Sequence, residues 1–321
     1  MAILNRSALR ARGAAAAARC PSACRNLVLI YCGALALLTL GSNGLSLYLD
    51  THIGDTGGLS GLGMRSALQT IQQLLYYINL LFGPFWTAGF LYAMISMTRG
   101  QTPSPMDLTA GFRRFGRVLG YMCFQFLSLM LLSFLVAEVS SVIFSFTPMY
   151  GDFVEKMEPL LTDPAYLTAE GAVDLSKLPM DAMLPLLVIV GALLIPACIW
   201  LSYSFRLALY LVMDRPIGGI RACIESMRLM KGHKWQMLRL DLSFWWYHGL
   251  ALLISLVGYL DWILSRLGIV LPVNSTVMFF LTLGAYCVLQ AGLFLWKKCP
   301  VDATYVLAYE AIACPETIEC E

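Results

Sequence analysis

Long apolar blocks, separated by short clusters of charge, dominate this chain. Six of them hold enough apolar residues to cross a hydrocarbon layer as a helix, which takes about 20. They lie at roughly 27–49, 69–97, 118–146, 183–213, 240–264 and 274–296. The second to fourth have 29 to 31 residues, about 45 Å of helix against a core of about 30 Å. Such segments tilt, kink or project into water, and Pro84 and Pro196 are natural kink points.

The two central connections that the charge pattern below places in the cytoplasm look alike. In the first, Ser104-Pro105-Met106-Asp107 reads as a helix start, with Ser as N-cap, Pro at the first helical position and Asp in the first turn. Leu108, Phe112 and Phe115 follow, with Arg113, Arg114 and Arg117. In the second, Pro216 opens a stretch with Ile220, Ile224 and Met227 at helical spacing and Arg221, Glu225 and Arg228 opposite, stopped by Gly232. Both patterns predict amphipathic helices lying on an anionic inner leaflet. The order span, surface helix, span thus occurs twice, a weak internal repeat.

Composition agrees. Of 321 residues, 59% are hydrophobic and 13% charged, with a mean hydropathy of +0.70. A soluble protein is about 45–50% apolar and about 25% charged, so lipid must cover this surface. A net charge of +2 supplies no field for nucleic acid. With the N-terminus inside, 17 Lys and Arg fall in inside segments and four outside, Arg206 lying within a span; that asymmetry orients the chain with both termini in the cytoplasm. Residues 1–26 then read as a basic cytoplasmic N-terminal helix, since the apolar block after them is too long for a cleaved signal. Residues 27–297 form the membrane domain, 298–321 a cytoplasmic tail, and the outside loop at 148–181 is acidic.

Depth decides which polar residues matter, because ionisable groups inside a span are functional candidates. Asp261, 22 residues past Arg239, and Glu138, 21 past Arg117, reach the outer interface. Tyr92, Gln125, Arg206, His248 and Gln290 each lie seven to nine residues from a cytoplasmic boundary residue, about 10–14 Å deep at 1.5 Å per residue. They define a candidate polar layer, either a binding cavity for an anionic group such as a lipid phosphate at Arg206 or a packed layer. In the packed case the glutamines join helices and Arg206 snorkels to the headgroups. Trp235, Trp262 and Trp296 fit an interfacial belt.

Catalytic signatures are missing. There is no HExxH, no GxSxG turn and no phosphate-binding glycine loop. Gly57, Gly58, Gly61 and Gly63 read as a turn, and the three histidines fall in separate regions. None of the ten cysteines forms a CxxC pair, so no metal or other cofactor is expected and the thiols read as small apolar residues.

Two blocks carry a family resemblance. One is Gly83-Pro84-Phe85-Trp86-Thr87-Ala88-Gly89 through Tyr92, Arg99-Gly100, Asp107-Leu108 and Gly111-Phe112. The other runs from Tyr203 through Glu225-Ser226-Met227, Met230-Lys231-Gly232 and Lys234-Trp235 to Leu240-Asp241-Leu242-Ser243-Phe244. The chain resembles the bacterial integral membrane family filed as domain of unknown function 975, YciC-like six-span proteins. The basic start Asn5-Arg6 to Arg12 is also similar, and Trp245-Trp246-Tyr247 fills the place where the family usually has a small residue or Trp after Ser-Phe. The resemblance implies a bacterial inner-membrane location and no catalytic residue. The expected fold is all-α, a polytopic transmembrane bundle of about six spans with amphipathic cytoplasmic surface helices. The expected function is that of a non-enzymatic accessory or scaffold protein touching anionic inner-leaflet lipid, with a membrane or cytoplasmic protein partner left open. A transporter or permease for a small or anionic, lipid-like solute is the alternative, and an intramembrane enzyme the third.

Overall fold

A computed structural model describes residues 5–53, 59–162, 180–260, 263–264 and 275–313. Asp163, Glu170 and Asp174 of the acidic loop, Gly57 and Gly58, Asp261, Trp262, Cys314 and Cys320 lie outside the described residues. Every regular element among those described is helical: α1 (Arg6–Arg19), α2 (Pro21–Ile53), α3 (Leu59–Thr98), a 3₁₀ turn (Pro105–Thr109), α4 (Ala110–Arg113), α5 (Phe115–Ser145), α6 (Met149–Thr162), α7 (Met180–Ser204), α8 (Ala208–Asp214), α9 (Gly219–Leu229), α10 (Lys234–Ser243), α11 (Trp245–Val257) and α12 (Ser275–Ala313). Five segments are long and apolar enough to cross a membrane, or six if α10 and α11, bent by 68° at their junction, make one span. The fold is an all-α, polytopic membrane bundle.

The chain divides into two compact units, one of residues 1–121 with 207–321 and one of 122–206. In the smaller unit α5 and α7 are long apolar helices. Phe144, at the end of α5, is buried edge-on against Phe153 of α6, with ring centroids 5.3 Å apart. Asp152, Glu155 and Glu158 of the acidic loop sit on α6, a helix within the stretch that the sequence pattern reads as loop.

The larger unit gathers α1, α2, α3, the 105–113 turn, the first turns of α5, and α8 to α12. Glycines set its closest approaches. A Cβ on Gly89 of α3 would land on the Leu108 carbonyl, and one on Gly111 would land on the Phe85 carbonyl. The first motif block is therefore an interlock between α3 and the 105–113 turn. That turn opens with a reciprocal cap, Ser104 N–H to Asp107 Oδ2 at 2.8 Å and Met106 N–H to Ser104 Oγ at 3.3 Å, as the Ser-Pro-x-Asp pattern predicts. Gly219 of α9 meets the Arg117 carbonyl and Tyr121 N–H of α5 in the same way.

The first predicted surface helix is only the 3₁₀ turn with α4, Phe115 and Arg117 already belonging to α5, and the second, α9, packs on its unit through small residues. On α9 the buried face is Gly219, Ala222, Cys223 and Ser226. Ile220 (54% exposed) and Ile224 point outward, with Arg221 and Arg228 also exposed. Small residues let the helix backbone pack close, which leaves the larger apolar side chains for the surroundings. Ser226 Oγ accepts the Leu207 N–H at 3.1 Å, satisfying a backbone donor left over where the fourth apolar block breaks between α7 and α8. That break is at residues 205–207; Pro84, Pro185 and Pro196 all lie inside continuous helices.

The Leu240–Phe244 motif is the α10–α11 bend. Phe244 leaves helical geometry (φ −109°, ψ 20°) and Ser243 Oγ bonds back to the Leu240 carbonyl at 2.6 Å, a local bond that competes with the helix ladder.

Candidate functional site: a polar spine on the last helix

The sequence reading ends the sixth span at Trp296 and lets 298–321 leave as a tail. In the structure residues 298–313 continue α12 and carry a polar network that runs through the larger unit. Lys298, Asp302, Tyr305 and Tyr309 follow one another at four-, three- and four-residue steps, so they share a face over about 16 Å.

Lys298 comes first. Its side chain is 12% exposed and its Nζ lies 3.0 Å from Asp302 Oδ2. The ammonium also sits 4.7 Å from the centroids of Phe90 and Phe294 and 5.1 Å from that of Tyr31. Three ring faces and one carboxylate thus replace its water. The cage is braced by Tyr31 and Thr87, whose hydroxyls are 3.1 Å apart, and by Trp86, which donates to the Tyr31 carbonyl at 3.2 Å. The first motif block therefore supplies cage supports as well as the glycine interlock.

One step along, Tyr305 donates its hydroxyl to Asp241 Oδ1 at 2.7 Å, and His248 Nε2 is 3.2 Å from the Tyr305 hydroxyl oxygen. The tyrosine has one proton and gives it to the carboxylate, so His248 must donate from Nε2. The Asp of the Leu-Asp-Leu-Ser-Phe motif is thereby held by the last helix just before the bend.

At the far end Tyr309 donates to Asp214 Oδ2 at 2.8 Å; Arg99 reaches Asp214 Oδ1 at 2.6 Å through Nη1 and Glu310 Oε1 at 3.1 Å through Nε. The hydrogen bond that Arg99 donates to Asp214 pushes the Arg99 pKa upward, so this guanidinium stays charged. Arg215 pairs with Glu225 at 3.0 Å and donates to the Ala313 carbonyl at 3.1 Å. Together these tie the ends of α3, α8, α9 and α12. The N-terminal helix closes the group: α1 buries Leu9, Gly13, Ala16 and Ala17, Gly13 abuts Thr304, and Arg10 lies 5.2 Å over the Phe244 ring.

The residues of the predicted polar layer are divided between the two units. Tyr92, His248 and Gln290 belong to the larger, Gln125 and Arg206 to the smaller. Tyr92 carries the Arg114 guanidinium 4.9 Å from its ring centroid; the ring face serves Arg114 Nη1, which is buried without a hydrogen bond. His248 belongs to the Tyr305–Asp241 chain. Gln290 borders a recess of about 260 Å³ between α2 and α12, lined also by Tyr31, Thr39, Tyr286 and Phe294, and its Oε1 is buried without a partner. Arg206 stands at the helix break after α7 with its guanidinium 5.6 Å from the Tyr203 ring, and Gln125 is half-buried on α5.

Lys298, Asp302, Tyr305, Tyr309, Asp241, Asp214 and Arg99 are the residues sequence reasoning missed. For the four on α12 the signal is the heptad-like recurrence after Trp296, which reads in sequence as a charged exit from the membrane, while Arg99 and Asp241 stand in the two motif blocks with nothing local to pair them with α12. Among the described residues no three of His, Cys, Asp and Glu are placed to share a metal ion.

No curated protein and no solved structure matches the chain. The model of the family described as "Protein of unknown function (DUF975)" matches residues 56–294, which include both motif blocks, and the chain belongs to that family.

Proposed function

We propose that this is a non-enzymatic accessory or scaffold protein of a bacterial inner membrane, with both termini in the cytoplasm, which binds anionic lipid through the cationic end of its larger unit. One observation carries the reading. At that end, exposed apolar side chains alternate with cations: Met106, Phe112 and Phe115 with Arg113, and Ile220 and Ile224 with Arg221 and Arg228. Two exposed tryptophans each hold a cation over the ring, Arg239 at 5.3 Å from Trp235 and Lys297 at 5.1 Å from Trp296. Amphipathic Trp rings and snorkelling cations are what a headgroup layer accommodates, and each cation near an anionic surface contributes about 1 kcal/mol. The carboxylates of the spine are engaged with Arg99, Lys298, Tyr305 and Tyr309, which suits holding helices together rather than proton transfer to a substrate.

The test is lipid retention. In nanodiscs of mixed phosphatidylglycerol and phosphatidylcholine, native mass spectrometry is expected to find phosphatidylglycerol enriched on the protein. The enrichment falls in the Arg113→Gln, Arg221→Gln, Arg228→Gln variant. Equal retention of both lipids by the unaltered protein would remove the proposal.

A permease is the second reading, favoured by the recess at Gln290. An unpartnered buried amide atom beside aromatic walls is a place where a small polar solute gains a hydrogen bond. Uptake into proteoliposomes that Gln290→Leu abolishes would support it over the scaffold.

A further inference from the structure

Three sulfur atoms from three separate helices meet in the larger unit. Cys24 is in the first turns of α2, Met97 at the end of α3, and Cys299 on α12 beside the caged lysine. Cys24 Sγ lies 3.4 Å from Met97 Sδ, Cys299 Sγ lies 3.9 Å from the Cys24 carbonyl oxygen, and a side-chain hydrogen bond joins the two thiols. All three residues are buried, at 7%, 2% and 5% exposure. Cys24 and Cys299 also form part of the wall of a recess of about 630 Å³, lined by Ala14, Ala17, Arg25 and Trp296 among others. The sulfurs therefore have an access route while Met97 backs them from inside.

We infer that Cys24, Cys299 and Met97 form a binding site for one soft monovalent metal ion, with copper(I) as the natural occupant. Thiolate and thioether ligands select copper(I) over the harder cations. With metal–sulfur bonds of about 2.3 Å, a planar three-sulfur site needs sulfurs about 4 Å apart, so the 3.4 Å between Cys24 Sγ and Met97 Sδ needs only a small opening. Zinc asks for a fourth ligand and tetrahedral angles; the His, Cys, Asp and Glu groups among the described residues do not offer even a third. Binding is a proton exchange: the ion enters, both thiols lose their protons, two metal–thiolate bonds and one metal–thioether bond form, and no electron moves. The site lies level with the cytoplasmic boundary residues that flank α2, α3 and α12, where thiols stay reduced, and it clamps the first span to the last. This inference stands apart from lipid binding; neither depends on the other.

The experiment is a competition titration of the detergent-solubilised full chain with copper(I) buffered by a chromogenic chelator under reductant, and X-ray absorption at the copper edge. One tight equivalent is expected, with a shell of three sulfurs. Cys24→Ser and Cys299→Ser each remove a ligand outright, so each weakens binding by at least the roughly 10–100-fold that loss of an outer-shell partner costs. Met97→Leu keeps volume and hydrophobicity and so keeps the fold; it is expected to weaken the same equivalent at least tenfold. Unchanged affinity in Met97→Leu, or unchanged affinity in both serine variants, overturns the site. So does a Cys24–Cys299 disulfide in protein isolated under reductant.

Discussion

At the residue scale, the caged lysine is a costly group that depends on its partner. A buried cation is tolerated when a carboxylate and polarisable rings stand in for water, and removal of one partner leaves the full desolvation penalty uncompensated. Asp302→Asn is therefore expected to destabilise the folded chain by about 3 kcal/mol, the low end for breaking a buried pair, because Asp302 is a quarter exposed. The double variant Lys298→Met, Asp302→Leu removes both charges and recovers most of the loss. Thermal unfolding in detergent compares the two; a double variant as damaged as the single would show that the ion pair is not what the cage depends on. His248, Tyr305 and Asp241 make the same point differently: a histidine, a tyrosine and an aspartate 7 to 64 residues apart become one hydrogen-bonded chain only because α12 runs past the bend between α10 and α11.

At the element scale, glycine positions decide how helices meet. Gly89 and Gly111 each face a backbone carbonyl, and a backbone cannot rotate away as a side chain can. Gly89→Ala and Gly111→Ala are each expected to cost about 1–3 kcal/mol by overpacking. Gly33 and Gly41, on α2, have nothing within 4 Å of a notional Cβ, so Ala there gains up to about 1 kcal/mol of helix propensity. Melting midpoints of the four variants should separate into two lowered and two level or raised. The contrast also explains why the Ser-Pro-x-Asp start was legible and the orientation of α9 was not. Capping is chemistry between neighbours two and three residues apart. Which stripe of a helix faces inward depends on whether the partner surface wants bulk or close approach, and α5 wants close approach at Gly219.

At the scale of the whole molecule, the cationic connections should lie on one side of the membrane. In a chain whose native cysteines are replaced by serine, Gln101→Cys and Lys231→Cys are expected to react with a membrane-impermeant maleimide only from the cytoplasmic face, and Tyr150→Cys only from the opposite one. Reaction of the first two from opposite faces would refute the shared orientation. The block lengths and the charge asymmetry determine the membrane class and the number of apolar segments by themselves, because hydrocarbon admits few alternatives: about 20 apolar residues must be helical to satisfy their own backbone. The spine, the cage and the sulfur cluster follow from none of this. They join residues such as Cys24 and Cys299, or Arg99 and Glu310, that are hundreds of positions apart. Only tertiary packing brings α12 back along α1, α2 and α3, so that a stretch reading as a charged exit becomes the polar centre of its unit.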